Sequence, residues 1–175
     1  VDPRDVCRSV MSRLQSRFIS APVELTGDGD TVRVIIKGNS MSVRMMGIDT
    51  LETHFQGKSQ GYWGEAAAAR LKELLPAKTK VVLETEGEGC DMYGRILAYV
   101  HLDGTNINQQ ILAEGLAVNY CIYPTLKYCA PFEEITQRNI DLRRGIYSDP
   151  TVELPYVWRR SISRIPNEKW IGNAK

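Results

Sequence analysis

The sequence predicts an α+β fold: a closed barrel of five short strands with helices packed against its outside. Three observations lead there. The strand-like runs are short and rich in β-branched residues. They come in the order three strands, helix, two strands, helix, helix. Turn signals such as Asp28-Gly29 and Gly38-Asn39 separate the strands where a parallel sheet would need long crossovers. Parallel α/β chains alternate strand with helix, and this chain does not, so the pattern suits an antiparallel barrel of the OB type.

The elements follow in order. Residues 5–18 place Cys7, Val10, Met11, Leu14 and Phe18 at helical spacing, which predicts an amphipathic helix with an arginine face, broken at Ala21-Pro22. Val23-Glu24-Leu25, then 31–38, then 41–48 read as strands. Residues 54–63 are polar and glycine-rich and read as a mobile loop. The run from Glu65 through four alanines to Leu75 is the strongest helix signal, with Pro76 just beyond it. Residues 80–87 and 95–102 form a second strand pair. Asn106–Gly115 is a helix with Ile107, Ile111 and Leu112 on one face and Gly115 at its end. Residues 131–145 form another, and an irregular tail follows Pro150. The expected organisation is an N-terminal helical extension (1–21), an OB-fold domain (22–148) and a C-terminal tail packed on it (149–175).

Composition bounds the class. With 175 residues, 43% hydrophobic and 25% charged, the chain can bury a core and is neither disordered nor fibrous. No apolar run is long enough to span a membrane. Net charge is +1, with basic ends: Arg4, Arg8, Arg13 and Arg17 at one, Arg159, Arg160, Arg164, Lys169 and Lys175 at the other. Toward a polyanion these flanks would supply the long-range attraction. Trp158 and Trp170 in the tail are expected to pin it onto the core.

Four cysteines, Cys7, Cys90, Cys121 and Cys129, show no CxxC spacing, and there are only two histidines, so a zinc site is not expected. An even cysteine count and a start at Val1-Asp2-Pro3 suit a processed secreted or periplasmic protein with two disulfides. Cys121 and Cys129, around a short proline-bearing stretch, are the expected first pair; Cys7–Cys90 follows by elimination.

Asp28 and Asp30 precede one strand, while Asp49 and Glu52 end another. A barrel would bring these ends side by side. Oxygen ligands from such carboxylates and a backbone carbonyl suit a hard cation such as Ca²⁺. Arg44, on a strand, and Arg95, after a Tyr-Gly turn, need anions. Together these are the parts for phosphodiester hydrolysis: a cation to polarise the phosphate, arginines to hold its growing charge, and a glutamate to direct water.

Three segments, Gly27–Val32, Arg44–Glu52 and Asp91–Val100, resemble in order and spacing the three signatures of the staphylococcal nuclease (thermonuclease) family, and Asn108 through Ala117 resembles its next helix. The resemblance implies the OB fold and calcium-dependent, sugar-nonspecific hydrolysis of DNA and RNA that leaves 3′-phosphates. It implies single-stranded or locally unpaired nucleic acid as the favoured substrate. It makes Asp30, Asp49 and the Thr50 carbonyl the calcium ligands, Glu52 the general base, Arg44 and Arg95 the phosphate-binding arginines, and Tyr93 a nucleotide contact, with Asp28 behind the metal site. The family's tyrosine after the second helix corresponds to Tyr120 or Tyr123, Tyr123 being the candidate substrate-binding residue. Leu51 replaces the family's usual proline, and Met92 replaces a lysine. A monomer without an obligate protein partner or a membrane is expected. The alternative is a catalytically weak OB-fold module that binds nucleic acid or protein; such relatives typically lose the acidic and arginine positions that are filled here.

Overall fold

The structure, a computed structural model, describes residues 2–14, 16–122 and 127–163. Helix α1 (Pro3–Leu14) is followed by strands β1 (Phe18–Thr26), β2 (Thr31–Ile36), β3 (Asn39–Met45) and β4 (Gly47–Thr50). Helix α2 (Tyr62–Leu74) leads to β5 (Lys80–Cys90), β6 (Ile96–Leu102) and the two-residue β7 (Thr105–Asn106). Helix α3 (Ile107–Ala113), β8 (Ala117–Tyr120), α4 (Cys129–Leu142), a 3₁₀ turn (Gly145–Ser148) and α5 (Pro155–Ser163) complete the order.

Strands β3, β2, β1, β5 and β6 are hydrogen-bonded in that order, and β6 pairs back onto β3 in parallel, which closes a five-stranded barrel. The fold is the expected OB-like barrel with external helices. Alternation fills it: Val32, Val34 and Ile36 of β2 and Met41, Val43 and Met45 of β3 point into the core with Leu83, Ile96, Ala98 and Val100. At about 25 cal/mol per Å² of apolar surface removed from water, this shared core is the main stabilising term.

Several elements differ from expectation. α1 ends at Leu14, and Phe18 begins β1 instead of closing a helical face. Residues 18–22 pair with β5, from Phe18↔Glu84 to Pro22↔Lys80, so strand pairing overrides a helical period in the sequence. The expected third strand divides in two: β3 stays in the barrel, whereas β4 turns away after Met46 and pairs with β8. The expected irregular tail contains the helix α5. In α4, Ile140 and Leu142 lie exposed beyond the buried Phe132.

Both cysteine pairs form as expected. Cys7–Cys90 ties α1 to the end of β5 across 83 residues, and Cys121–Cys129 links the end of β8 to the start of α4. Of α1, only Cys7 and Val10 are buried, so the disulfide holds an otherwise lightly packed helix beside the β5–β6 turn. No helix among the described residues is long and apolar enough to cross a membrane.

Candidate active site

The register of β2 and β3 builds one side of the site. Thr31 pairs with Arg44, so Asp30 stands at the strand end against Arg44, and the Met45 N–H donates to the Asp30 carbonyl. The tight turn before it depends on Gly29. A Cβ there would come within 2.6 Å of the Ala67 side chain and 2.9 Å of Thr50 Cγ2. Asp28 and Asp30 are therefore pressed between α2 and β4 by a residue that only glycine can supply.

Strand β4 builds the other side. Asp49 opposes Val118 and Thr50 opposes Ala117 on β8, and all four residues of β4 are buried. The Thr50 N–H donates to Asp30 Oδ2 at 3.1 Å, which joins the two halves. Gly64 at the start of α2 lets that helix close on the following loop, since a Cβ would meet the Glu52 carbonyl at 2.7 Å.

Asp30, Arg44, Asp49, Thr50 and Glu52 thus converge at one end of the barrel. Arg44 Nη2 lies 3.4 Å from Asp30 Oδ2 and 3.5 Å from Asp49 Oδ1. Its Nη1 donates to the carbonyls of Met45 (2.6 Å) and Ile48 (2.9 Å), which fixes the guanidinium in place. Asp28 accepts from Thr53 through both the backbone N–H and the hydroxyl. Burial pushes the Asp49 carboxyl upward against the pull of Arg159 and Arg44. Burial, helped by a hydrogen bond to Asp28, raises Glu52 to about 7 although Arg159 opposes it. A carboxylate poised there suits proton transfer near neutrality.

Arg95 and Tyr93 lie on the β5–β6 turn. Arg95 Nε donates to Asp91 Oδ2 at 2.7 Å, and its guanidinium sits 5.5 Å from the Tyr93 ring centre. The turn leads into β6, whose Leu97 pairs with Arg44, and the ion-pair partner of Arg95 is Asp91, outside the acidic cluster. Tyr93 and Met92 are exposed. Tyr120 is half-buried on β8, and burial together with Asp49 pushes its hydroxyl upward. Tyr123 lies outside the described residues.

The donor set fits a hard cation. Asp30 and Asp49 are 6% and 1% exposed, and the Thr50 hydroxyl is buried with no hydrogen-bond partner among the described residues. Every donor is oxygen. Among the described residues, no three His, Cys, Asp or Glu side chains cluster closely enough to hold a metal by themselves. The fit therefore rests on two aspartates, a backbone carbonyl and water.

One residue of the site escaped the sequence reading. Arg159 of α5 reaches Asp49 Oδ2 at 2.9 Å, Asp49 Oδ1 at 3.2 Å and Glu52 Oε2 at 2.7 Å. Burial alone would lower its pKa, but these two carboxylates more than compensate and raise it. Pro155 at the first helical position was the local signal for α5.

The family model described as staphylococcal nuclease homologue matches residues 42–149. The chain belongs to the staphylococcal nuclease family. Within it, the chain is 36% identical over 122 residues to endonuclease YncB of Bacillus subtilis (strain 168), covering 69% of this chain and 58% of that protein. It is 35% identical over 132 residues to the SPbeta prophage-derived endonuclease YokF of the same strain, covering 75% of this chain and 45% of that protein. It is 34% identical over 122 residues to the thermonuclease of Staphylococcus hyicus, covering 70% of this chain and 72% of that protein. The match thus spans about half the length of the two Bacillus proteins.

Proposed function

We propose that this member of the staphylococcal nuclease family is a calcium-dependent nuclease that hydrolyses DNA and RNA to leave 3′-phosphates, favouring single-stranded or locally unpaired stretches. The observation that carries the reading is the convergence of Asp30, Arg44, Asp49 and Glu52 at one barrel end. Names of relatives, endonuclease and thermonuclease, point the same way.

Asp30, Asp49 and the Thr50 carbonyl would hold Ca²⁺, which when bound polarises the scissile phosphate. Arg44, its Nη1 held by two carbonyls, exchanges the pairing of Nη2 with Asp30 and Asp49 for a phosphate oxygen once the cation takes up those carboxylates. Arg95 approaches from the β5–β6 turn and exchanges part of its pairing with Asp91 for a phosphate oxygen. Glu52, raised toward neutrality, accepts the proton of the attacking water. Asp28 supports Glu52 from behind the metal site. Tyr93 and Tyr123 contact the nucleotide, and exposed Tyr93 can stack on or hydrogen-bond it. Two disulfides suit secretion or the periplasm, where oxidation persists. The enzyme acts as a monomer.

Incubation with plasmid DNA and with RNA, in calcium and in chelator, tests this reading. Cleavage with calcium that stops on chelation supports it. Retention of nucleic acid without cleavage would instead assign a binding module.

A further inference from the structure

The contact between Arg159 and the acidic cluster has no place in the chemistry above. Its guanidinium engages both oxygens of Asp49 and one of Glu52, so it occupies a carboxylate meant for the cation and the one meant for water. It is supplied by an element more than a hundred residues away in sequence. Arg44 already offsets part of the charge of Asp30 and Asp49. Arg159 already fills both Asp49 oxygens, so the arginine and a divalent cation would compete for the same ligand atoms.

The mounting of α5 is consistent with an element that docks as a unit. Trp158, beside Arg159, packs its ring 6.2 Å from that of Phe55. Gln60 donates to the Glu153 carbonyl while accepting from the Glu52 N–H, and Trp63 donates to Asp149. These bonds tie α5 and its lead-in to the loop that follows Glu52. Tyr156 is the buried aromatic of the helix; Val157 is exposed, and Arg159 keeps 19% of its side-chain surface. The lead-in residues Val152 and Leu154 pack on the small cluster of Leu51, Val118 and Ile146, separate from the barrel core, so the helix can leave without opening that core.

We propose that α5 is an autoinhibitory latch: Arg159 holds Asp49 and Glu52 closed, and a divalent cation entering the site displaces it. The proposal rests on the calcium site inferred above. Cation binding and latch docking are then mutually exclusive, so each weakens the other by the same factor. At low calcium the latch keeps the site shut; at high calcium α5 swings away and frees Glu52 together with the cation ligands.

The test is calcium titration of the full chain by calorimetry, without nucleic acid, alongside hydrogen exchange of residues 155–163. Arg159→Ala should bind Ca²⁺ about 10-fold or more tighter than wild type, within the usual range of coupling between sites. Trp158→Ala, which loosens the helix but leaves the arginine, should shift affinity in the same direction by less. In wild type, saturating calcium should speed amide exchange across 155–163. Equal or weaker calcium affinity in Arg159→Ala, or exchange of α5 that calcium leaves unchanged, would overturn the latch. In that case a raised KM with unchanged calcium affinity would assign Arg159 to substrate binding. Absence of calcium binding in both proteins would overturn the calcium site and the latch with it.

Discussion

Replacing Asn108 with alanine should cost about 4 kcal/mol of folding stability. Asn108 is fully buried at the second position of α3. Its Oδ1 accepts from the Val100 N–H at 2.9 Å, and its Nδ2 donates to the carbonyls of Met46 (2.8 Å) and Ala98 (3.2 Å). The three losses are not equal. The Ala98 carbonyl also accepts from the Met46 N–H, so it keeps a partner. The Val100 N–H and the Met46 carbonyl lose the partner that Asn108 supplied, and each orphaned buried group costs about 1–3 kcal/mol. Taking the middle of that range for both gives about 4 kcal/mol. Asn108→Asp separates the two roles: it keeps the acceptor but turns a carboxylate toward two carbonyls, so near neutral pH it should lose at least as much. Urea unfolding followed by circular dichroism measures both losses. A loss below about 1 kcal/mol for Asn108→Ala, with an unchanged denaturant slope, would refute the reasoning. Met46 lies at the bend where the chain leaves the barrel for Asp49, so this amide also anchors the approach to the candidate site.

Other predictions follow from the same geometry. Arg95→Lys should lower kcat about 10²-fold or more in single-turnover cleavage, because a lysine cannot present a bidentate fork to developing charge; a change confined to KM would mean that it only grips the ground state. Replacing both Cys7 and Cys90 by serine should cost about 4–5 kcal/mol from the 83-residue separation, and replacing Cys121 and Cys129 about 2–3 kcal/mol from a separation of 8, both read in urea unfolding. Burial pushes Glu84 up, but Lys127, His101 and Tyr128 together outweigh it and hold its carboxyl below the ordinary glutamate value of 4.5. Its stabilisation is therefore present above pH 4.5 and lost as pH falls through the lower folded value. Glu84→Gln should lose about 1–3 kcal/mol at pH 7, and its deficit against wild type should shrink toward pH 3; a deficit independent of pH would contradict the charge's role.

The barrel was legible because its strands are short, β-branched and punctuated by turn residues, and because tertiary pairing mostly agrees with them. Phe18 shows where local pattern misleads. It completes a helical period with Val10 and Leu14, yet the backbone of 18–22 has a partner in 80–84, and a ladder of hydrogen bonds outweighs the weak preference of a short helix. β4 was hidden in the preceding strand because Met46-Gly47 carries no obvious break; Gly47, at a φ of 82°, makes the bend. Asp30, Arg44, Asp49 and Glu52 were legible because each ends or interrupts a strand that the barrel must place beside the others. Arg159 was not. It sits in a basic tail where charge alone signals only solvation, and its meeting with Asp49 comes from the packing of Trp158 and Tyr156, which no local spacing encodes.

The central claim is that phosphodiester hydrolysis runs on the carboxylates gathered at the end of β2 and in β4. Cleavage of a labelled single-stranded oligonucleotide by wild type and Asp49→Asn, each titrated with calcium and with folding checked by circular dichroism, tests it most directly. Wild type should cleave in a calcium-dependent manner and leave 3′-phosphate ends, and Asp49→Asn should lose both cleavage and calcium response. Folded Asp49→Asn that cleaves at the wild-type rate with the same calcium midpoint would contradict it.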